Sequence, residues 1–137
     1  MNTQSNVISA PVAVDLSVAQ TFAAGDGGRE HIALKMTSTG VAPATVGAPV
    51  IGTLYRANMA PAVGQSAVGM ACDVFIKGWI HYVQLGATSA ALNSGDIIQL
   101  DPANAGQYIP ASGGSSTAIV WEAAPTTFQG AIIRALV

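Results

Sequence analysis

The groups able to do chemistry in this 137-residue chain are few: two histidines, one cysteine, seven carboxylates and five cations. Catalysis needs such groups to converge, and a supply this thin argues against an enzyme. His81 stands between Ile80 and Tyr82 in an apolar pattern, the setting of a packed or interface histidine rather than a general base. His31 follows a glycine-rich turn beside Glu30 and reads as a strand-edge residue. Neither belongs to a His/Cys cluster at zinc-ligand spacing, so no metal and no other cofactor is expected. Cys72, between Ala71 and Asp73, has no cationic neighbour to lower its pKa and reads as a small buried residue.

The remaining motifs favour structure over catalysis. No Gly-x-Ser-x-Gly elbow follows a strand and opens a helix. Gly113-Gly114-Ser115-Ser116 is glycine-rich, yet no Gly-Lys-Ser/Thr follows it, so it reads as a loop rather than a phosphate cradle. Asp26, Asp96 and Asp101 each adjoin Gly or Pro, where a carboxylate stabilises a turn by accepting backbone hydrogen bonds. Trp79, Tyr82 and Tyr108 are the residues from which a carbohydrate-binding platform would be built. In an alternating strand, however, Trp79 and Tyr82 point to opposite faces, which favours core or interface aromatics.

What must hold these residues is set by an unusual composition. Only 9% of residues are charged and 50% are hydrophobic, so much of the apolar content has to be covered or spread thinly. A membrane span would need roughly 18 consecutive apolar residues, and Gly, Pro, Ser and Thr interrupt every candidate run. Residues 1–11 carry no Lys or Arg and lead into no apolar core of a secretory signal, so neither a membrane nor export is expected. A net charge of -2, with scattered cations, gives no footprint for nucleic acid. The single cysteine leaves no internal disulfide, so packing or association must hold the fold.

Along the chain, strand patterns dominate. Val12, Val14, Leu16 and Val18 alternate with smaller or polar residues, which predicts a half-buried strand over 12–19. Ahead of it, residues 1–10 are polar except for Val7 and Ile8 and read as an arm that orders on a partner. The glycine turn at 25–28 leads to a second strand at 31–36, a hairpin partner for the first. Prolines at 43, 49 and 61 exclude long helices from the middle, where a short strand is predicted at 50–55. The strongest strand pattern runs over 73–85, with large side chains on both faces and a bulge or bend expected at Gly78. Residues 87–92 have helical propensity for no more than a turn. Further strands are predicted at 97–100, 106–110, 117–123 and 130–137. The expectation is an all-β fold, a small barrel or sandwich-like domain over 20–137 with an N-terminal arm and first strand over 1–19.

An ordered series of short features runs through the second half. It comprises Val74-Phe-Ile-Lys-Gly-Trp-Ile, then Leu92-Asn-Ser-Gly-Asp-Ile-Ile, Gly106-Gln-Tyr-Ile-Pro, Ala118-Ile-Val-Trp-Glu-Ala-Ala and Gly130-Ala-Ile-Ile-Arg-Ala-Leu-Val. In this order, over roughly residues 68–137, the chain resembles the capsid decoration, or cement, proteins of tailed bacteriophages. The resemblance implies a compact β domain, usually a homotrimer, on the outer surface of the virion head, stabilising contacts between major capsid protein subunits. It also implies an N-terminal arm that pairs with capsid strands, for which Val7, Ile8, Val12, Val14, Leu16 and Val18 are the matching candidates. Phe75, Trp79, His81 and Tyr82, on the two-sided strand pattern, are the candidates for the oligomer interface. A carbohydrate-binding or host-adhesion module is the alternative expectation.

Overall fold

The structure, a computed structural model, describes residues 6–11, 13, 31–56, 71–113 and 117–137. Among the described residues ten short strands follow in chain order. They are β1 (Val7–Pro11), β2 (Ala33–Thr37), β3 (Gly40–Pro43), β4 (Gly52–Arg56), β5 (Ala71–Ile76), β6 (Ile80–Gln84), β7 (Ile97–Leu100), β8 (Tyr108–Pro110), β9 (Thr117–Val120) and β10 (Ile132–Leu136). They form two five-stranded antiparallel sheets, in the orders β1-β5-β4-β2-β3 and β6-β10-β9-β7-β8. The chain is all-β and sandwich-like, with neither sheet closed into a barrel.

Each sheet curls until its edges approach. In the first, the Ala13 amide, just past β1, donates to the Val41 carbonyl on β3 at 2.8 Å. In the second, Leu85 forms a parallel bridge with Tyr108 on β8, and the Gly86 amide donates to the Tyr108 carbonyl at 2.7 Å. Curling occupies a few backbone groups at these edges that would otherwise be open to another chain. It also gives each sheet its own core. Leu34, Val41, Leu54, Cys72 and Val74 pack inside the first. Val83, Leu85, Ile98, Leu100, Tyr108, Val120 and Ile133 pack inside the second, joined there by Ala33 and Ala44 from the first sheet.

The strongest strand pattern, over 73–85, is two strands in different sheets. Residues 77–79 form a bend between β5 and β6, and Gly78 has φ of +102°, a conformation that L side chains rarely adopt. The expected break at Gly78 is thus a passage from one sheet to the other. It explains why both faces of this stretch carry large side chains, since each half fills a different environment.

Two further expectations are corrected, and a third falls largely outside the described residues. Residues 7–10 are not a free arm, because β1 pairs with β5 from Val7↔Phe75 to Pro11↔Ala71 and Ala10 is buried in the first core. Pro11 is tolerated because β1 lies at a sheet edge, where no ladder donor is needed. The strand at 31–36 appears as β2, but among the described residues its partners are β3 and β4 rather than the predicted 12–19 strand, most of which lies outside them. Residues 87–92 form no helical turn; Leu92 instead bridges Ala124 across two loops.

Gly106 wedges the β7–β8 loop against the first sheet, accepting from the Ala33 amide and donating to the Ala44 carbonyl, both at 2.8 Å. Its φ is +82°, and a Cβ there would lie 2.9 Å from that of Ile32. Gly106→Ala is expected to cost about 2 kcal/mol, from left-handed backbone strain and displacement of Ile32. Urea unfolding followed by circular dichroism measures it, and an unchanged midpoint would mean that the wedge does not join the sheets.

Candidate functional site

The seam between the sheets gathers two of the four residues predicted for the oligomer interface. His81 is buried on β6, with Ala135 of β10 beside it in the ladder. Its Nε2–H donates to the Ile76 carbonyl at 2.9 Å, which leaves Nδ1 to accept from the Thr53 hydroxyl at 2.7 Å. The Phe75 ring lies 4.2 Å from the imidazole, centroid to centroid. Burial lowers the His81 pKa, opposed in part by the bond to Ile76, so the ring is held neutral with both nitrogens used. Phe75 and His81 therefore pack against each other between two sheets of one chain, which removes His81 from any surface another chain can touch.

Trp79 and Tyr82 remain at the surface, the first in the bend and the second on β6, each about half exposed. Tyr108, the third aromatic of the carbohydrate alternative, is almost wholly buried, and burial pushes its phenol far above the usual range. It is a core residue. Val7 and Ile8 lie on β1, with Ile8 exposed. Val12, Val14, Leu16 and Val18 fall outside the described residues.

Several polar side chains serve turns and loops. Asp101 accepts from the Ala103 amide and from Asn104 Nδ2, both at 2.8 Å, and Asp96 accepts from the Asn93 amide at 2.7 Å. These are the turn duties their neighbours predicted; Asp26 lies outside the described residues. Gln107 donates through Nε2 to Gln84 Oε1 at 2.6 Å. The Cys72 thiol is buried in the first core, where desolvation, and then the Asp73 carboxylate, raise its pKa away from reactivity. Among the described residues no three His, Cys, Asp or Glu side chains gather to hold a metal ion.

The feature that sequence reading missed is the outward face of the second sheet. Alternate residues of β6, β7, β9 and β10 point inward and are buried, as Val83, Ile98, Val120 and Ile133 show. The outward set is apolar as well. Register places Ile80 opposite Leu136, Leu136 opposite Ile119, and Ile119 opposite Ile97, a row crossing four strands. A second row holds Tyr82, Arg134 and, just past β9, Trp121, whose amide donates to the Arg134 carbonyl at 2.9 Å. Six of the eleven large apolar side chains exposed among the described residues belong to this face: Tyr82, Ile97, Ile119, Trp121, Ile132 and Leu136. Scattered exposed hydrophobics are ordinary, whereas concentration on one face marks a contact surface.

Charge on this face is balanced internally. Arg134 pairs with Glu122 at 3.5 Å, and its guanidinium carbon lies 5.9 Å from the centroid of the Tyr82 ring. Both partners are well exposed, so the pair contributes little stability, on the order of 0–1 kcal/mol. A cleft of about 260 Å³ opens beside Tyr82, walled by Ile132, Ala124, Arg134 and Glu122. The sequence did hold a signal for this face. Ile97-Ile98, Ile119-Val120-Trp121 and Ile132-Ile133 are apolar at both alternate sets of positions, whereas a half-solvated strand alternates apolar with polar.

No helix among the described residues is long and apolar enough to cross a membrane. Compared with protein-family models, with curated proteins and with solved structures, the chain matches none.

Proposed function

We propose that this protein is a structural component of a tailed-phage virion, a decoration protein that binds the outer surface of the capsid and stabilises contacts between major capsid protein subunits. The observation that carries the reading is the apolar outward face of the second sheet on a chain with only 9% charged residues. Such a face favours lasting contact with protein over contact with water, since burial contributes about 25 cal/mol per Å² before the costs of association. Homotrimerisation would let individually weak contacts to the capsid act together through avidity. Ile8, a large apolar side chain exposed on β1, is a described part of the N-terminal segment available to the capsid. The ordered features of residues 68–137 that resemble cement proteins support the same reading.

The test adds the purified full chain to expanded heads assembled from a tailed-phage major capsid protein. The expected result is saturable occupancy of the outer surface by cryo-electron microscopy, with heads that rupture at a higher temperature than bare ones. Absence of density and an unchanged rupture temperature at saturating protein would overturn the assignment. Deleting residues 1–10 is not a clean probe of the arm, because it removes the edge strand β1 from the first sheet.

A further inference from the structure

We propose that the cleft beside Tyr82 is a binding site for one ring of a neutral saccharide. The inference goes beyond the decoration reading and leaves to the capsid the apolar row of Ile80, Leu136, Ile119 and Ile97. Cleft and row lie towards opposite ends of β10, since Ile132 and Leu136 are four residues apart, about 13 Å along a strand. Local structure opens the cleft. Past Trp121, whose amide still reaches the Arg134 carbonyl, the chain leaves β10, and Ala124 exchanges two hydrogen bonds with Leu92 at 2.8 and 2.9 Å. The space between this departing segment and β10 is the cleft, with Tyr82 at its side.

The polar groups at its rim select an uncharged ligand rich in hydroxyls. Arg134 and Glu122 neutralise each other at 3.5 Å, longer than the roughly 2.7–2.9 Å of a charge-assisted hydrogen bond, so guanidinium donors and carboxylate acceptors are left for a ligand. Adjacent hydroxyls on a sugar ring accept from the first and donate to the second. An anionic ligand would meet Glu122 and a cationic one Arg134, and either upsets the balance of the pair. The walls are apolar, from Tyr82, Ile132 and Ala124, and suit the C–H face of such a ring. A wholly apolar ligand would desolvate both charges and offer them no hydrogen bond in return.

Tyr82 is the aromatic wall, about half exposed, and its ring has a neighbour on two sides. The His31 ring lies 5.5 Å away between centroids, and the Arg134 guanidinium carbon 5.9 Å from the Tyr82 centroid. His31 reaches it from just ahead of β2, across the seam, with φ of +66°. Such left-handed backbone is uncommon away from glycine and gathers at ligand clamps and other functional positions. Size sets the rest. At about 260 Å³ the cleft is smaller than the roughly 300–1,000 Å³ pockets that take drug-sized ligands, so it holds a single sugar ring. This is not the three-aromatic platform expected from the sequence, because Trp79 lies in the bend and Tyr108 in the core.

Heteronuclear NMR titration of the isotope-labelled full chain tests the site, with glucose, galactose, mannose and N-acetylglucosamine as probes and glucose 6-phosphate as the charged control. At least one neutral sugar is expected to give saturable shifts at the amides of residues 82, 122–124 and 134, with a dissociation constant on the order of 1 mM, the scale for so small a ligand. Tyr82→Ala and Glu122→Gln should each weaken binding about tenfold. Glu122 is well exposed, so its variant gives the reading if Tyr82→Ala fails to fold. Trp79→Ala, in the bend outside the cleft, should bind as the wild type does. No saturable shift with any of the four sugars would overturn the proposal, as would binding of glucose 6-phosphate as tight as that of the neutral sugars, or binding unchanged in both cleft variants. A chain that binds sugar but never heads would uphold this site and defeat the decoration reading alone; one that binds heads but no sugar would do the reverse.

Discussion

Tyr108→Ala is expected to lower the unfolding free energy by about 3–5 kcal/mol, the range for truncating a large aromatic in a packed core. Tyr108 is 1% exposed and, among the described residues, is the bulkiest of the fully buried side chains. It lies in the core of the second sheet on β8, where its backbone also holds the sheet's edges together through Leu85 and Gly86. Truncation therefore leaves a cavity at the point where the sheet closes on itself. Tyr108→Phe keeps the ring and should cost about 1 kcal/mol or less. The phenol adds a signature in pH. Burial raises its folded pKa above the unfolded value near 10, so the folded state keeps a proton that the unfolded state loses. Its contribution to stability is complete below about pH 10 and declines above it. Urea unfolding of both variants, with spectrophotometric titration of tyrosine, checks these outcomes. A loss under 1 kcal/mol in Tyr108→Ala would show that the second sheet is not packed as described.

His81→Ala is the second large effect, expected at about 3 kcal/mol. It deletes a buried ring, leaves the Thr53 hydroxyl and the Ile76 carbonyl without their imidazole partner, and opens a gap beside Phe75. These contacts tie β6 of the second sheet to β4 and β5 of the first, so the loss falls on the seam. Thr53→Val, which removes only the hydroxyl that donates to Nδ1, should cost about 1–3 kcal/mol. The sign of the pH dependence follows from burial. The folded pKa of His81 is lowered below the unfolded value near 6.5, so on acidification the unfolded state takes up a proton before the folded state does. Stability from this residue is full above about pH 6.5 and is lost as pH falls towards the folded pKa. His81→Gln should flatten that slope in denaturant unfolding measured from neutral to mildly acid pH. A wild-type slope that persists in His81→Gln would assign it to other groups.

Much of this fold was legible because its signals are local. Strands β7, β8, β9 and β10 fall within the stretches their β-branched and aromatic residues predicted, and Asp96 and Asp101 cap turns where Gly and Pro said turns would be. Gly78 marked a break for a local reason too, since its backbone has positive φ. Pairing was not legible. β1 was hidden because Ser9 and Pro11 dilute its pattern, and its place beside β5 depends on a contact more than sixty residues away. β3, in the Gly/Pro-rich middle, carries no strand signal strong enough to compete with a turn reading.

The candidate surface divides the same way. Composition by its nature shows a surplus of apolar residues and a thin supply of titratable groups. Which residues form the surface was a tertiary decision. Phe75, His81 and Tyr82 look alike in sequence as members of one apolar run, yet the passage between sheets buries His81, packs Phe75 against it and leaves Tyr82 outside. Ile97, Ile119 and Leu136 are far apart in the chain and join in one row only because three strands pair in a particular register. A side chain's type is fixed by the sequence, but its exposure depends on what the rest of the chain places over it. Residue types and their order specified a β-rich, charge-poor chain, while strand pairing across long stretches of chain settled which apolar residues became core, which became seam and which face outward.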